Sequence, residues 1–251
     1  MKDPRPPQGA QSALRAIRLL KQFTGERPEM TLAELAAAAG LEQDDHAPPA
    51  AGIAERGADR AARGKQRLQP GPGLMALGVQ ALASSDLRRR VRPMLRTLAR
   101  DIGETATLEV PVEESMLILD EVAGSHVVTA TGNVGTRWPL HATSTGKVWL
   151  AFDEGSYERL HYPLASLTRR TLTSKVAFEA ELARVRRSGY GVTVDELEEG
   201  FTAVATVIRG ALGDVQGALS IGGPTQRLGA ARRAKIGKML CQAASRLSPE
   251  Y

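Results

Sequence analysis

A histidine, a serine and a threonine stand close together at His141, Ser144 and Thr145. A hydroxyl beside an imidazole is the raw material of acyl transfer, in which the ring takes the hydroxyl proton as the oxygen attacks. The surroundings do not complete that machinery: no Gly-x-Ser-x-Gly elbow is present, and no acid is placed by sequence to orient the ring. Gly146-Lys147 looks like the end of a phosphate-binding loop. The first glycine of that pattern falls on His141, however, and Val148 stands where a metal-binding hydroxyl is required. What remains is a loop running into a helix, whose free first-turn N–H groups could hold a small carboxylate. Asp195, Glu196, Glu198 and Glu199 are numerous enough to suggest a metal site, but no histidine has suitable spacing and they read as a solvated turn. His46, His126 and His161 are scattered. The single cysteine, Cys241, excludes an intrachain disulfide and a cysteine-based zinc cluster, and reads as an inert core thiol beside Ala244. No catalytic residue, metal or cofactor is expected.

The elements that must position these residues belong to an ordinary globular chain. It has 251 residues, 42% apolar and 24% charged, which excludes wholesale disorder and fibrous structure. No run of about 18 apolar residues is present to span a bilayer, and the polar start Met1–Gly9 has no apolar core of a signal peptide. The expectation is a cytoplasmic protein with no membrane partner. The net charge of +5 is unevenly placed. Residues 1–99 carry 16 Lys and Arg against 10 Asp and Glu, whereas residues 100–251 carry 17 against 18. Such asymmetry suggests a basic module that meets a polyanion, joined to a neutral module with another task; a solvated basic face gives the same count.

Residues 1–10 read as a disordered leader. From Ser12 the pattern turns helical, with Leu14, Ile17, Leu20 and Phe23 on one stripe and Arg15, Arg18 and Lys21 on the other side. Gly25 and Pro28 end it. Thr31 with Glu34 three positions on forms a capping box that opens a second short helix, closed by Gly40. Two short helices followed by glycine look like the front half of a helix-turn-helix. Leu74, Leu77 and Leu82 mark a helix after Pro72, and residues 84–100 form a basic one carrying Arg88, Arg89, Arg90, Arg92 and Arg96. These arginines could touch DNA, form dimer salt bridges or face solvent. Further on, strands at 105–110 and 115–122 make a hairpin across Glu113-Glu114, and a third strand is expected at Val127–Thr131. A helix follows Thr143, another spans Phe178–Ser188, and Gly191–Val194 is a strand. Ala203–Arg209 and Gln216–Ile221 form a second hairpin, and the last helix covers Gln226–Arg246. Antiparallel strands flanked by helices give an α+β class.

Three sets of residues together resemble the IclR-type transcription regulators. The first is Ser12–Leu20 with Thr31–Ala36 and Gly40-Leu41. The second is the run Trp138-Pro139-Leu140-His141-Ala142-Thr143-Ser144-Thr145-Gly146-Lys147. The third is Arg187–Gly191, Glu198-Glu199-Gly200 and Leu219–Pro224, in the family's order and spacing. The resemblance covers roughly residues 11–41 and 71–248. It implies a winged helix-turn-helix DNA-binding domain over 11–70, a linker helix over 71–84 and a GAF-like antiparallel-sheet effector domain over 85–251. It further implies operator DNA as partner, a homodimer or homotetramer, and a small effector, often an organic acid or aromatic compound. Carried over residue by residue, Arg15, Arg18, Thr31, Ala33 and Glu34 would face DNA. Ser144, Thr145, Gly146, Thr193, Ala203, Ser220 and Gly222 would line the effector pocket. Some members carry an acid at the Thr193 position and a cysteine at the Ala203 position, so the ligand here stays open, and Thr193 and Ser220 also fit as ordinary strand residues. A rival reading is a metabolite-binding or small-molecule enzyme domain with a vestigial DNA-binding region.

One segment departs from the family. Where a recognition helix and wing belong, the chain reads Gln43-Asp44-Asp45-His46-Ala47-Pro48-Pro49, poor material for a helix in the major groove. Dropping one base lets the codons of these residues encode Lys-Thr-Thr-Thr-His-Arg-Leu, and the same shift permits Gly-Leu-Ile from Gly57-Ala58-Asp59. Residues 43–70 therefore look out of frame, bracketed by compensating shifts near Glu42 and Pro70, with a native Ala/Gly-rich loop as the alternative. If the chain has this sequence, the second half of the DNA-binding fold is expected to be disordered and specific DNA binding impaired.

Overall fold

The structure, a computed structural model, describes residues 8–23, 27–40, 67–126, 133–153 and 160–247. The chain divides into two units, Met1–Ser84 and Ser85–Tyr251. Among the described residues no helix is long and apolar enough to cross a membrane.

In the first unit, α1 spans Gln8–Leu20 and so begins earlier than Ser12, inside the expected leader. Its apolar stripe is only partly covered: Leu14 and Ile17 stay nearly half exposed, because α2, Leu32–Ala38, offers α1 just two turns to pack on. Thr31 caps α2 with extended backbone (φ −72°, ψ 160°), and its hydroxyl accepts the Glu34 N–H at 3.2 Å while the Glu34 carboxylate accepts the Thr31 N–H at 2.7 Å. The capping box expected from Thr31 and Glu34 is thus present. Gly40 follows at φ +65°, a conformation that L side chains rarely adopt. Strand β1, Met30–Thr31, pairs antiparallel with β2, Arg67–Leu68. The anomalous segment therefore ends in a defined pairing with the capping residue; its residues 43–66 lie outside the described residues. Helix α3, Pro72–Ser84, completes this unit.

In the second unit, α4 covers Asp86–Ile102, capped by the Ser85 hydroxyl and closed by Gly103 at φ +79°. Part of the basic face of α4 turns inward, while Arg89 and Arg96 stay exposed. Asp120, only 1% exposed in its side chain, accepts from Arg92 and lies 3.4 Å from Arg88, and Arg90 donates to Gln216 at 2.8 Å. Strands β3 (Thr105–Val112) and β4 (Ser115–Val122) form the expected hairpin over Glu113-Glu114. Then come β5 (Arg137–Pro139), a short 3-10 turn (Leu140–Ala142), α5 (Ser144–Phe152) and α6 (Lys175–Ser188). β6 (Gly191–Val194), β7 (Phe201–Arg209), β8 (Val215–Pro224) and α7 (Ala230–Leu247) finish the chain. The strand expected at Val127–Thr131 lies outside the described residues. The last helix begins at Ala230 instead of Gln226, because Thr225–Gly229 turn back on themselves and bury Leu228.

All six strands of this unit are antiparallel to their neighbours, in the order β5-β4-β3-β8-β7-β6. Period-two alternation sends one set of side chains to each face. On one face Ala106, Leu108, Val204, Leu219 and Ile221 pack with Val91, Leu95 and Leu98 of α4 and Ile236 and Leu240 of α7. On the other, Met116, Ala205, Val207 and Ala218 pack with Val148 and Leu150 of α5 and Phe178 and Leu182 of α6. The described structure is mixed helix and antiparallel sheet, the α+β class expected.

Candidate effector-binding site

On the α5 side of the sheet the apolar core stops short and leaves a cavity of about 140 Å³. Pairing register builds its floor. Thr193 of β6, Ala203 of β7, Gly222 of β8 and Thr105 of β3 lie in one cross-strand row. Ser220, Thr107 and Glu121 form the next row, and Glu109 pairs with Ile118 in the one after. Glu121 and Ile118 sit an odd number of residues apart on β4 and would point to opposite faces of a regular strand. The pairing shifts between Leu108 and Glu109, a bulge on β4, and this brings both to the cavity. Trp138, Phe201, Leu197 and Glu198 close the sides, and Thr143, Ser144 and Thr145 form the roof at the start of α5.

The floor is kept low by small residues. A Cβ on Gly222 would lie 2.9 Å from the Phe201 ring, so glycine there lets that ring sit against the sheet. Glu109 is buried in the same cavity, at 5% exposure. Its two carboxylate oxygens accept from the Thr107 hydroxyl at 2.8 Å and the Thr145 hydroxyl at 2.7 Å. Burial pushes its carboxyl above the ordinary carboxylate range, against the pull of those two hydrogen bonds, and the charge of Glu121 pushes the same way. Thr105 and Thr193, also buried, have hydroxyl oxygens with no hydrogen-bond partner. Unpaired buried polar atoms cost about 1–3 kcal/mol each, and both residues stand in the wall of the cavity.

Of the residues expected to meet an effector, Ser144, Thr145, Thr193, Ala203, Ser220 and Gly222 come together on this cavity. Gly146 does not line it. Its N–H donates to the Thr143 hydroxyl at 3.1 Å, and a Cβ there would overlap the Leu140 carbonyl. Gly146 is required by the close approach of α5 to the preceding turn. The Lys147 N–H makes the first regular bond of α5, to the Thr143 carbonyl at 3.0 Å, so the first-turn amides placed to meet a carboxylate are those of Ser144 and Thr145, both on the cavity. His141 contacts the Ala165 carbonyl at 2.8 Å through Nε2, a loop-fixing bond remote from any nucleophile role. Sequence reasoning missed Glu109, Thr105 and Glu121. Glu109 and Thr105 carry a readable signal, polar residues at alternate positions of an otherwise apolar strand.

The acidic turn is also not simply solvated. The Glu196 carboxylate, buried, accepts from Lys147 Nζ at 2.7 Å, and Lys147 is itself fully buried. Burial raises the Glu196 carboxyl, opposed by the Lys147 charge. Glu181 ends below its usual range: burial pushes it up, but Arg184 and Lys147 outweigh it. This network ties the Asp195–Gly200 loop, whose Leu197 and Glu198 wall the cavity, to α5 in its roof. Among the described residues no His, Cys, Asp and Glu cluster could hold a metal ion. Cys241 is partly buried and donates weakly to the Gly189 carbonyl at 3.5 Å.

Of the candidate DNA contacts, Thr31 and Glu34 spend their side chains on each other at the start of α2. Ala33, Arg15 and Arg18 belong to the short helices of the first unit; Ala33 and Arg18 are exposed and Arg15 is half-buried.

The profile of the family described as "Bacterial transcriptional regulator IclR C-terminal" matches residues 79–249. A glycerol operon regulatory protein of Streptomyces griseus is 32% identical over 219 residues, covering 87% of this chain and 86% of that protein. The transcriptional repressor IclR of Escherichia coli K12 is 28% identical over 246 residues, covering 96% and 90% respectively. Among solved structures, the C-terminal domain of the E. coli regulator KdgR aligns with TM-score 0.57 and 32% identity, covering 65% of this chain and 96% of that one. An IclR family regulator from Brucella abortus aligns with TM-score 0.76 at 20% identity over 94% of this chain and 91% of that one, a likeness of fold. These relatives carry the names of regulators, not of enzymes, which agrees with the incomplete hydrolase and phosphate-loop patterns around His141 and Lys147. A family profile over two-thirds of the sequence and a regulator 32% identical over most of both chains lead to one assignment: the chain belongs to the IclR family of bacterial transcriptional regulators.

Proposed function

We propose that this regulator binds operator DNA through residues 11–70 and a small effector through residues 85–251, with 71–84 as linker, and that the effector tunes DNA occupancy. The observation that carries the effector half is the cavity lined by Ser144, Thr145, Thr193, Ala203, Ser220 and Gly222, between the start of α5 and the sheet. The DNA half is supported by the basic excess of residues 1–99 and by α2, whose capping box and closing glycine are those of a helix-turn-helix front half. A homodimer or homotetramer would present two such modules to half-sites about 34–36 Å apart, and a GAF-like effector domain would set their spacing. An effector that favours one spacing shifts occupancy by its differential affinity, typically 5–150-fold. This reading places the protein in the cytoplasm, with the DNA.

The test is selection of bound duplexes from a randomised pool by the full chain, followed by titration of the winners against salt. A palindromic winner whose affinity falls steeply with salt supports the reading. Recovery of no sequence above the starting pool sinks its DNA half. Gln43–Pro49 favour a second reading, a folded effector domain on a DNA reader impaired by this segment, and that reading predicts the latter outcome together with intact ligand binding.

A further inference from the structure

We propose that Glu109 is a proton-linked specificity residue of this cavity. It takes up one proton as a small carboxylate binds beneath the start of α5, and this turns the Thr145 hydroxyl from a donor to Glu109 into a donor to the guest. The proposal rests on the cavity being the effector site.

The start of α5 sets where a carboxylate lies. The N–H groups of Ser144 and Thr145 have no partner within the helix, and both residues line the cavity. The Thr143 hydroxyl adds no donor there, since it donates to the Pro139 carbonyl at 3.0 Å and accepts the Gly146 N–H at 3.1 Å. The Thr145 hydroxyl is buried in the same roof, 2.7 Å from a Glu109 carboxylate oxygen. An ionised carboxylate can only accept, so while Glu109 is charged the Thr145 proton is committed to it.

The surroundings of Glu109 suit neutralisation by a proton. Its other oxygen accepts from the Thr107 hydroxyl at 2.8 Å, and among the described residues no Lys, Arg or His lines the cavity. Glu121 of β4 and Glu198 of the loop after β6 share the space, and β8 sets Ala218 opposite Glu109. Lys147 of α5 is turned to Glu196 and Glu181, and Arg137 of β5 pairs with Glu113 at the exposed hairpin turn. Burial already favours the neutral form of Glu109. A guest carboxylate adds like charge in the same desolvated space, and two carboxylates sharing a site hold one proton between them. The proton settles on Glu109, because the guest's oxygens accept from backbone N–H groups, whereas the hydroxyl partners of Glu109 can reverse direction. Protonated, Glu109 donates to the Thr145 oxygen and the Thr145 proton rotates to the guest. The balance is one proton taken from solvent for each carboxylate bound.

Propionate and benzoate, with propionamide and benzamide as neutral isosteres, test this by calorimetry on the full chain from about pH 5.5 to about pH 9. Paired titrations in two buffers of different ionisation enthalpy count the protons. Uptake should rise to about one proton per carboxylate and stay at zero for the amides. Carboxylate affinity should be highest at low pH and fall by up to about tenfold per pH unit as pH rises through the Glu109 value of the free protein. Glu109→Gln keeps the shape and supplies a fixed N–H donor. It should bind the carboxylates with no proton uptake and no such fall. Thr145→Val should weaken them at least about tenfold at the low end, the value of a hydrogen bond to a charged group, with uptake retained. The proposal is overturned if the carboxylates bind without taking up a proton, if uptake persists in Glu109→Gln, if Thr145→Val binds unchanged, or if neither carboxylate binds at any pH. The buffer pair on the wild-type chain decides the matter where a variant does not fold. The operator readout is separate. A carboxylate that binds with its proton yet leaves affinity for the selected duplex unchanged overturns the effector reading and upholds the proton linkage. A carboxylate that releases the duplex equally well at every pH upholds the effector reading and overturns the linkage.

Discussion

Lys147→Met cuts the buried ion pair that joins the roof of the cavity to its wall, and its cost can be worked from the structure. Lys147 Nζ lies 2.7 Å from Glu196 Oε1, with side chains 1% and 11% exposed. At an effective dielectric of about 20, that separation corresponds to roughly 6 kcal/mol of attraction. Much of this repays desolvation, so the measurable quantity is the penalty of leaving Glu196 charged and buried, about 3–5 kcal/mol. Methionine keeps most of the volume of the lysine stem, so little of the loss is cavity formation. Protonation of Glu196 limits the damage. In the variant its folded-state carboxyl is raised still further, the folded state binds more protons than the unfolded one, and stability rises as pH falls from above that folded value towards the unfolded value near 4.5. Both tryptophans, Trp138 and Trp149, lie in residues 85–251, so urea unfolding followed by their fluorescence reports this unit alone. The variant should lose about 3–5 kcal/mol near pH 8 and clearly less near pH 5.5, and adding Glu196→Gln should recover most of the loss at the higher pH. A loss below about 1 kcal/mol near pH 8, an equal loss at both pH values, or no recovery in the double variant would refute the argument.

Gly146→Ala forces a methyl group into the Leu140 backbone, which has no rotamer to yield, and should cost at least about 2 kcal/mol in the same urea assay; stability within error of wild type would show that the α5 approach is not tight. Glu109 should make stability fall as pH rises above its unfolded value near 4.5, since burial raises its folded-state carboxyl and the folded protein holds the proton more firmly. The other carboxylates on the cavity are Glu121 of β4 and Glu198 of the loop after β6. Glu109→Gln should therefore be as stable as wild type or more so near pH 8, and a thermal melt showing the variant less stable there would reverse the sign assigned to this site. Resequencing the DNA across codons 42–71 should show two compensating single-base differences that restore a recognition helix and wing; an unchanged frame would mean that the cell makes Gln43–Pro49 as they stand.

What could be read from the sequence, and what could not, divides along the range of the interactions. The α2 capping box needed only Thr31 and Glu34 three residues apart, and the β3–β4 hairpin only alternation on either side of Glu113-Glu114. Ser144, Thr145, Thr193, Ala203, Ser220 and Gly222 reached the cavity because a family resemblance places them there; period-two counting alone says only that alternate residues share a face. The bulge on β4 defeats that counting, since it turns Glu121 to the same side as Ile118, and no local signal in Ser115–Val122 announces it. The pairing of Lys147 with Glu196 joins residues 49 positions apart, and the pairing of Arg92 with Asp120 joins residues 28 apart. From sequence, Glu196 reads as part of a solvated turn, and Arg92 as a helix-face charge open to solvent, DNA or a dimer partner. The error has a common physical source: a charged residue type reports solvent exposure only on average, and where a sheet brings two opposite charges under cover their mutual attraction overrides that preference.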